Sequence, residues 1–135
     1  MAIQLAVSTR NARLDAIETD AGTSAKLEIW SGAMPANCAT ASSGTKLAQF
    51  NLASDWAASA SSGSKALNGL PLSTTGAASG TAGYFRLLKT DDSTCILQGT
   101  VTATGGGGDM TLDNISIASG QTVNVTGFTI TDGNA

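Results

Sequence analysis

Apolar and polar side chains alternate with a period of two over much of residues 95–131. Cys95, Leu97, Val101 and Ala103 share one parity, with Gly99 between them. Thr94, Gln98, Thr100 and Thr102 fall on the other, and Ile96 is the exception. Alternation of this kind predicts a strand with one packed and one wet face. After the four glycines Gly105, Gly106, Gly107 and Gly108, Met110 and Leu112 alternate with Thr111 and Asp113. Ile115 and Ile117 then flank Ser116, and Ser119-Gly120 supplies a turn. The last run is Val123, Val125, Phe128 and Ile130, and its apolar parity switches at Gly127. A glycine at a phase switch predicts a β-bulge.

The rest of the chain reads as one helix and several short strands. Ile3, Val7, Leu14, Ile17 and Ala21 recur at helical spacing, which predicts a helix over 3–21 ending at Gly22. Ser8 is a candidate N-cap that would shorten it. The helix either covers one end of its own sheet or packs on a neighbouring subunit. Leu27 and Ile29 point one way in the first strand; Lys26, Glu28 and Trp30 point the other. Residues 31–44 form a long connection. Ala48, Phe50 and Leu52 set the next strand, and Trp56 sits in a short irregular piece. Residues 65–72 give a weak strand broken at Asn68-Gly69, with Pro71 arguing for an edge. The Gly/Ala/Ser/Thr-only character of 73–83 predicts a mobile loop. Phe85 and Leu87 point inward if Arg86 faces water, and Asp91-Asp92-Ser93 turns the chain into the 95–131 stretch. The fold class that follows is mainly β: an antiparallel β-sandwich or jelly-roll-like domain with one N-terminal α-helix. A single domain spans 1–135, with 1–22 helical and 23–135 the sandwich.

Composition narrows the function. The 135 residues carry 13% charged and 4% aromatic residues, so the core is aliphatic and the surface neutral and polar. Size scaling gives about 6,500 Å² of exposed surface once folded. A weakly charged surface suits close packing beside other copies or a large partner, because few charges need desolvating. Net charge is −3 and no basic run exists, which argues against nucleic-acid binding. No apolar run reaches membrane-spanning length. The start lacks the order of a signal peptide, so folding in a cytoplasm is expected. Cys38 and Cys95 admit two readings: two buried thiols, or a disulfide tying the first long loop to the 95–131 sheet.

Catalytic chemistry is thin. Histidine is absent, which removes Ser-His and Cys-His nucleophile pairs. Glu18 and Glu28 are the two glutamates. Asp91, Asp92, Asp109 and Asp113 border turns, where their side chains bond the local backbone; a weak calcium site is the alternative, without EF-hand spacing. The four glycines lack the Lys and Ser/Thr of a phosphate loop and read as a flexible hairpin loop. No catalytic, cofactor or metal residue is assigned.

Residues 10–19 (RNARLDAIET), Gly22-Thr23, 27–32, 81–87, 98–101, 108–114 and 123–131 together resemble a family of small tailed-phage and prophage virion proteins. Residues 108–114 and the ending carry the most specific part of the likeness. The resemblance implies a structural, non-enzymatic role. The expectation is a capsid decoration (cement) protein in the virion. It would bind the major capsid protein on the outside of the head, form a homo-oligomer, and need no cofactor. A neck or tail component is the alternative, and a receptor- or glycan-binding module ranks third because each tryptophan lacks an obvious polar cluster in sequence. Candidate contact residues are Val7, Leu14, Ile17, Trp30, Trp56 and Gly105, Gly106, Gly107 and Gly108. In place of charged or aromatic insertions the chain has residues 73–80.

Overall fold

The computed structural model of the chain describes residues 3–133. The helix α1 (Val7–Ala21) precedes nine strands: β1 (Lys26–Ser31), β2 (Lys46–Asn51), β3 (Ser64–Ala66), β4 (Leu72–Thr75), β5 (Gly80–Leu88), β6 (Cys95–Ala103), β7 (Met110–Leu112), β8 (Ser116–Ile117) and β9 (Thr122–Thr131). The mainly β class with one N-terminal helix is therefore the fold of this chain. The strands follow the order β2-β1-β5-β6-β7-β9-β3, with β4 beside β9 and β8 beside β5. The sheet curls until β2 lies next to β4. There Thr74 Oγ1 donates to the Gln49 carbonyl at 2.9 Å, and the Ala77 N–H donates to the Leu47 carbonyl at 2.7 Å. One apolar cluster fills the curl, including Leu27, Ile29, Phe50, Phe85, Met110, Val125 and Phe128. Phe85 and Phe128 meet edge to face at 5.1 Å, a geometry worth about 1 kcal/mol beyond its buried area. The exposed surface is 6613 Å².

Local signals placed several features correctly. Gly22 caps α1 with φ 85°, its N–H on the Glu18 carbonyl. In β9 the register runs Thr111↔Gly127 and then Leu112↔Val125, so Thr126 is the extra residue of a bulge beside Gly127. The turn before β9 uses Gly120 at φ 84°.

Other expectations are corrected. The sheet is mixed: β6 and β7 run parallel, with Val101↔Met110 and Ala103↔Leu112 in register. Parallel neighbours ordinarily need a long crossover, yet only residues 104–109 intervene. The four glycines explain the economy. Gly105 and Gly107 adopt φ 86° and 83°, whereas a Cβ on Gly106 or Gly108 would come within 3 Å of Thr102. The loop therefore folds back onto its own strand and is no hairpin. The Gly108 N–H donates to Thr102 Oγ1 at 3.0 Å, and Asp109 Oδ2 accepts the Thr100 N–H at 2.8 Å. The stretch 73–83 is no loose loop either. It supplies β4 and the start of β5, and Gly76 is clasped by Gln121 and Gly120 backbone groups. The helix begins at Val7, with Ala6 at its cap position and no side-chain cap, so Ser8 lies in the first turn. Ile3 falls outside the helix and is 81% exposed.

Candidate functional site

The most built surface lies on the outer face of β1, β5 and β6. Strand register sets Gln49, Glu28, Arg86 and Gln98 in one row across β2, β1, β5 and β6, with Trp30 opposite Tyr84 in the next row. Alternation sends these side chains away from the core, which in an uncovered sheet would put them in water. Glu28, Arg86 and Tyr84 are instead buried, and Gln49, Gln98 and Trp30 half-buried. Residues 32–45 cross this face as a strap, and Arg86, Gln98 and Tyr84 fasten it. Arg86 donates from Nη2 to the Thr40 carbonyl at 2.7 Å and the Asn37 carbonyl at 3.2 Å, and from Nε to Gln98 Oε1 at 3.1 Å. Gln98 Nε2 donates to the Pro35 carbonyl at 2.7 Å. Tyr84 Oη donates to the Ser43 carbonyl at 2.7 Å and accepts the Ser43 N–H at 2.9 Å. Cys38 and Cys95 are joined as a disulfide, resolving the two readings left open by their spacing. The expectation that Arg86 faces water is overturned, since it is buried together with Glu28, Tyr84 and Leu88.

Beside the strap is a cleft of about 370 Å³ lined by Glu28, Trp30, Thr40, Lys46, Arg86 and Asp92 among others. Trp30 is half-buried, stacks on Tyr84 at 6.4 Å and donates from Nε1 to Glu28 Oε2 at 2.9 Å. The other carboxylate oxygen of Glu28 holds Lys46 Nζ at 2.9 Å. That hydrogen bond raises the Lys46 pKa against the burial that opposes it. Trp30 thus stands in a polar cluster built on Glu28, two residues before it in sequence, and completed by Lys46, which only the fold brings near.

The remaining candidates are scattered. Val7 is 49% exposed at the start of α1. Leu14 is 3% exposed and Ile17 half-buried, both turned into the chain's own core, so the helix covers its own sheet on that side. Trp56 is 3% exposed and belongs to the core, which removes it as a contact residue. Gly105, Gly106 and Gly107 are exposed and Gly108 half-buried, at the opposite end of β6 from the disulfide. Of the turn aspartates only Asp91 bonds its own turn; Asp109 and Asp113 reach Thr100 and Asn124 on neighbouring strands, and Asp92 lies 3.9 Å from Lys46. Asp91 Oδ1 accepts the Ser93 and Thr94 N–H groups, and its bonds to Thr94 hold its pKa down at about 2. Asp113 accepts Asn124 Nδ2.

A second polar centre was missed in the sequence. Lys65, on β3, is buried and donates to Asp15 Oδ1, Glu18 Oε2 and the Ala58 carbonyl, each at 2.8 Å. Burial opposes its charge, but the two carboxylates outweigh it and raise its pKa. The Lys65 hydrogen bond and the Ala60 N–H lower that of Asp15. Arg10, Asn11 and Arg13 complete the helix dock on Asp132 and Gly63. The signal was present: Lys65 shares strand parity with Leu67, and Asp15 and Glu18 sit three apart on one helix face.

The arrangement defines a mainly β domain with a strapped outer face and a polar-docked helix, whose polar centres bond to the chain's own groups except at Arg10 Nε, which is buried without a hydrogen-bond partner among the described residues. Among the described residues no three metal-ligating side chains converge and no helix is long and apolar enough to cross a membrane. No protein-family model, curated protein or solved structure matches the chain.

Proposed function

We propose that the chain is a structural protein of a tailed-phage virion, acting as a decoration protein that seats on the outer capsid surface and clamps neighbouring capsid subunits. The strap is the observation that carries this reading. A long loop that would otherwise sample many conformations is fastened by a disulfide and by Arg86, Tyr84 and Gln98, giving a pre-shaped face with Trp30 at its margin. A pre-shaped face loses little conformational entropy on docking. Binding the assembled lattice and not free subunits then stabilises the lattice by mass action. The contact set becomes Trp30, Val7 and the glycine loop, without Leu14, Ile17 and Trp56.

The test is addition of the purified chain to capsids that lack it, reading copies bound and the shift in capsid melting. Copies comparable to capsid subunits, with binding weakened by Trp30→Ala, support decoration. A ring's worth of copies moves the protein to the neck or tail. A second reading is favoured by one feature: Trp30, Glu28, Lys46 and Asp92 around a cleft make an aromatic-plus-polar site of the kind that takes sugars. Saturable binding on a glycan array, lost in Trp30→Ala, would replace the clamp with receptor binding.

A further inference from the structure

We infer that residues 3–6 of one copy insert as an added strand into the gap between β6 and β9 of a second copy. The gap follows from the shortness of β7. It separates β6 from β9 only along Val101–Ala103 on one side and Val125–Phe128 on the other. Below it, β6 is paired through Cys95–Thr100 to β5 alone, and β9 through Thr129–Thr131 to β3 alone, among the described residues. Two strand edges therefore face each other with no strand between them; Asp109 caps the upper end of the β6 edge by holding the Thr100 N–H, and the unpaired edge below it is a template for a further strand. The space is a cleft of about 240 Å³ with Phe85, Phe128, Leu97 and Ile130 in its lining. Ile130 and Thr131 also line a neighbouring cleft that runs to Leu14 and Ile17 of α1. Leu97, Ile130 and Ile17 are each only partly buried, so apolar surface remains to be covered.

The chain carries a segment that fits. Ile3 and Leu5 alternate with Gln4 and Ala6, a strand pattern with one apolar face and no charge. Ala6 is extended (φ −60°, ψ 151°), Ile3 is exposed and Leu5 half-buried, and α1 begins at Val7. In the gap, Ile3 and Leu5 would face the phenylalanines while Gln4 and Ala6 face water. Main-chain bonding to both edges supplies affinity, and the alternate apolar side chains supply register. The occupant comes from another copy because the groove lies back along α1, beside Leu14 and Ile17, whereas the arm leaves the helix start in extended form. Arm and groove are different patches, so two copies either exchange arms about a two-fold axis or join head to tail into a ring or a filament. This inference does not require the capsid reading, since it is read on the purified chain alone.

Sedimentation velocity of the full chain at rising concentration tests it. Wild type is expected to associate, and Ile3→Asp, at a position 81% exposed in the single chain, to remain monomeric with an unchanged melting midpoint. Gln4→Cys protein mixed with Thr129→Cys or Thr131→Cys protein should oxidise to a dimer holding one of each, since these positions share the outward parity. A wild type that stays monomeric at its solubility limit, an Ile3→Asp variant that associates like wild type, or a chain carrying both Gln4→Cys and Thr129→Cys that crosslinks to itself would each overturn the inference. Loss of capsid binding with self-association intact would instead count against the capsid reading only.

Discussion

The strap and the helix are both polar attachments to the same curled sheet, yet they are held by different chemistry. The strap lies over β1, β5 and β6 and is fastened by a covalent bond plus neutral-acceptor hydrogen bonds from Arg86, Tyr84 and Gln98. The helix lies against β3 and the end of β9 and is held by ion pairs, with Lys65 between Asp15 and Glu18 and with Arg13 on Asp132. One attachment answers to redox conditions and the other to pH. The pairing teaches that a chain with few charges can still use them structurally, because each is placed where several partners converge.

The largest effect should come from cutting the covalent fastening. Closing a loop with a sequence separation of 57 is worth about 4 kcal/mol in the chain-entropy model. Cys38→Ser with Cys95→Ser should lower the urea midpoint accordingly and abolish the response of wild type to reductant. The amides of α1 should keep their exchange protection relative to the sheet. Next in size, Lys65→Met should cost about 2 kcal/mol, below the figure for a fully buried pair because Asp15 remains partly exposed. Here α1 should lose exchange protection first while the strap stays closed, the reverse of the cysteine variant.

Protonation should do more gently what Lys65→Met does outright. Asp15 has a lowered pKa, so its contribution is complete above the ordinary 3.8 and is lost as pH falls through the lowered value. Lys65 has a raised pKa, so its contribution is complete below the ordinary 10.5 and is lost as pH rises through the raised value. Exchange of α1 amides should therefore quicken outside that window at both ends, while the disulfide, which does not titrate, holds the strap. A strap that opened in step with α1 would erase the distinction. The smallest effect belongs to Tyr84→Phe, which leaves the Ser43 N–H and carbonyl without their shared partner. About 1 kcal/mol is expected, with faster exchange confined to residues near Ser43.

What the sequence determined by itself is what a few neighbouring residues settle. Alternation located β6 and β9, the parity switch at Gly127 located the bulge, and Gly22 located the end of α1, because burial of one face and a positive φ leave marks within a turn or two of chain. Tertiary structure decided the rest. The glycine run was legible, but its reason was not: Gly106 and Gly108 are needed because Thr102 lies under them, which lets a parallel strand follow so closely. Arg86 reads as a surface residue until a loop more than forty residues earlier in the chain is laid across it. Lys65 reads as an edge cation until α1 brings two carboxylates to it. Trp56 reads as a contact residue until the curl encloses it. Periodicity reports which face a strand buries against its own sheet. It carries no sign of which distant segment will cover the other face, because that depends on the closure of the whole sheet.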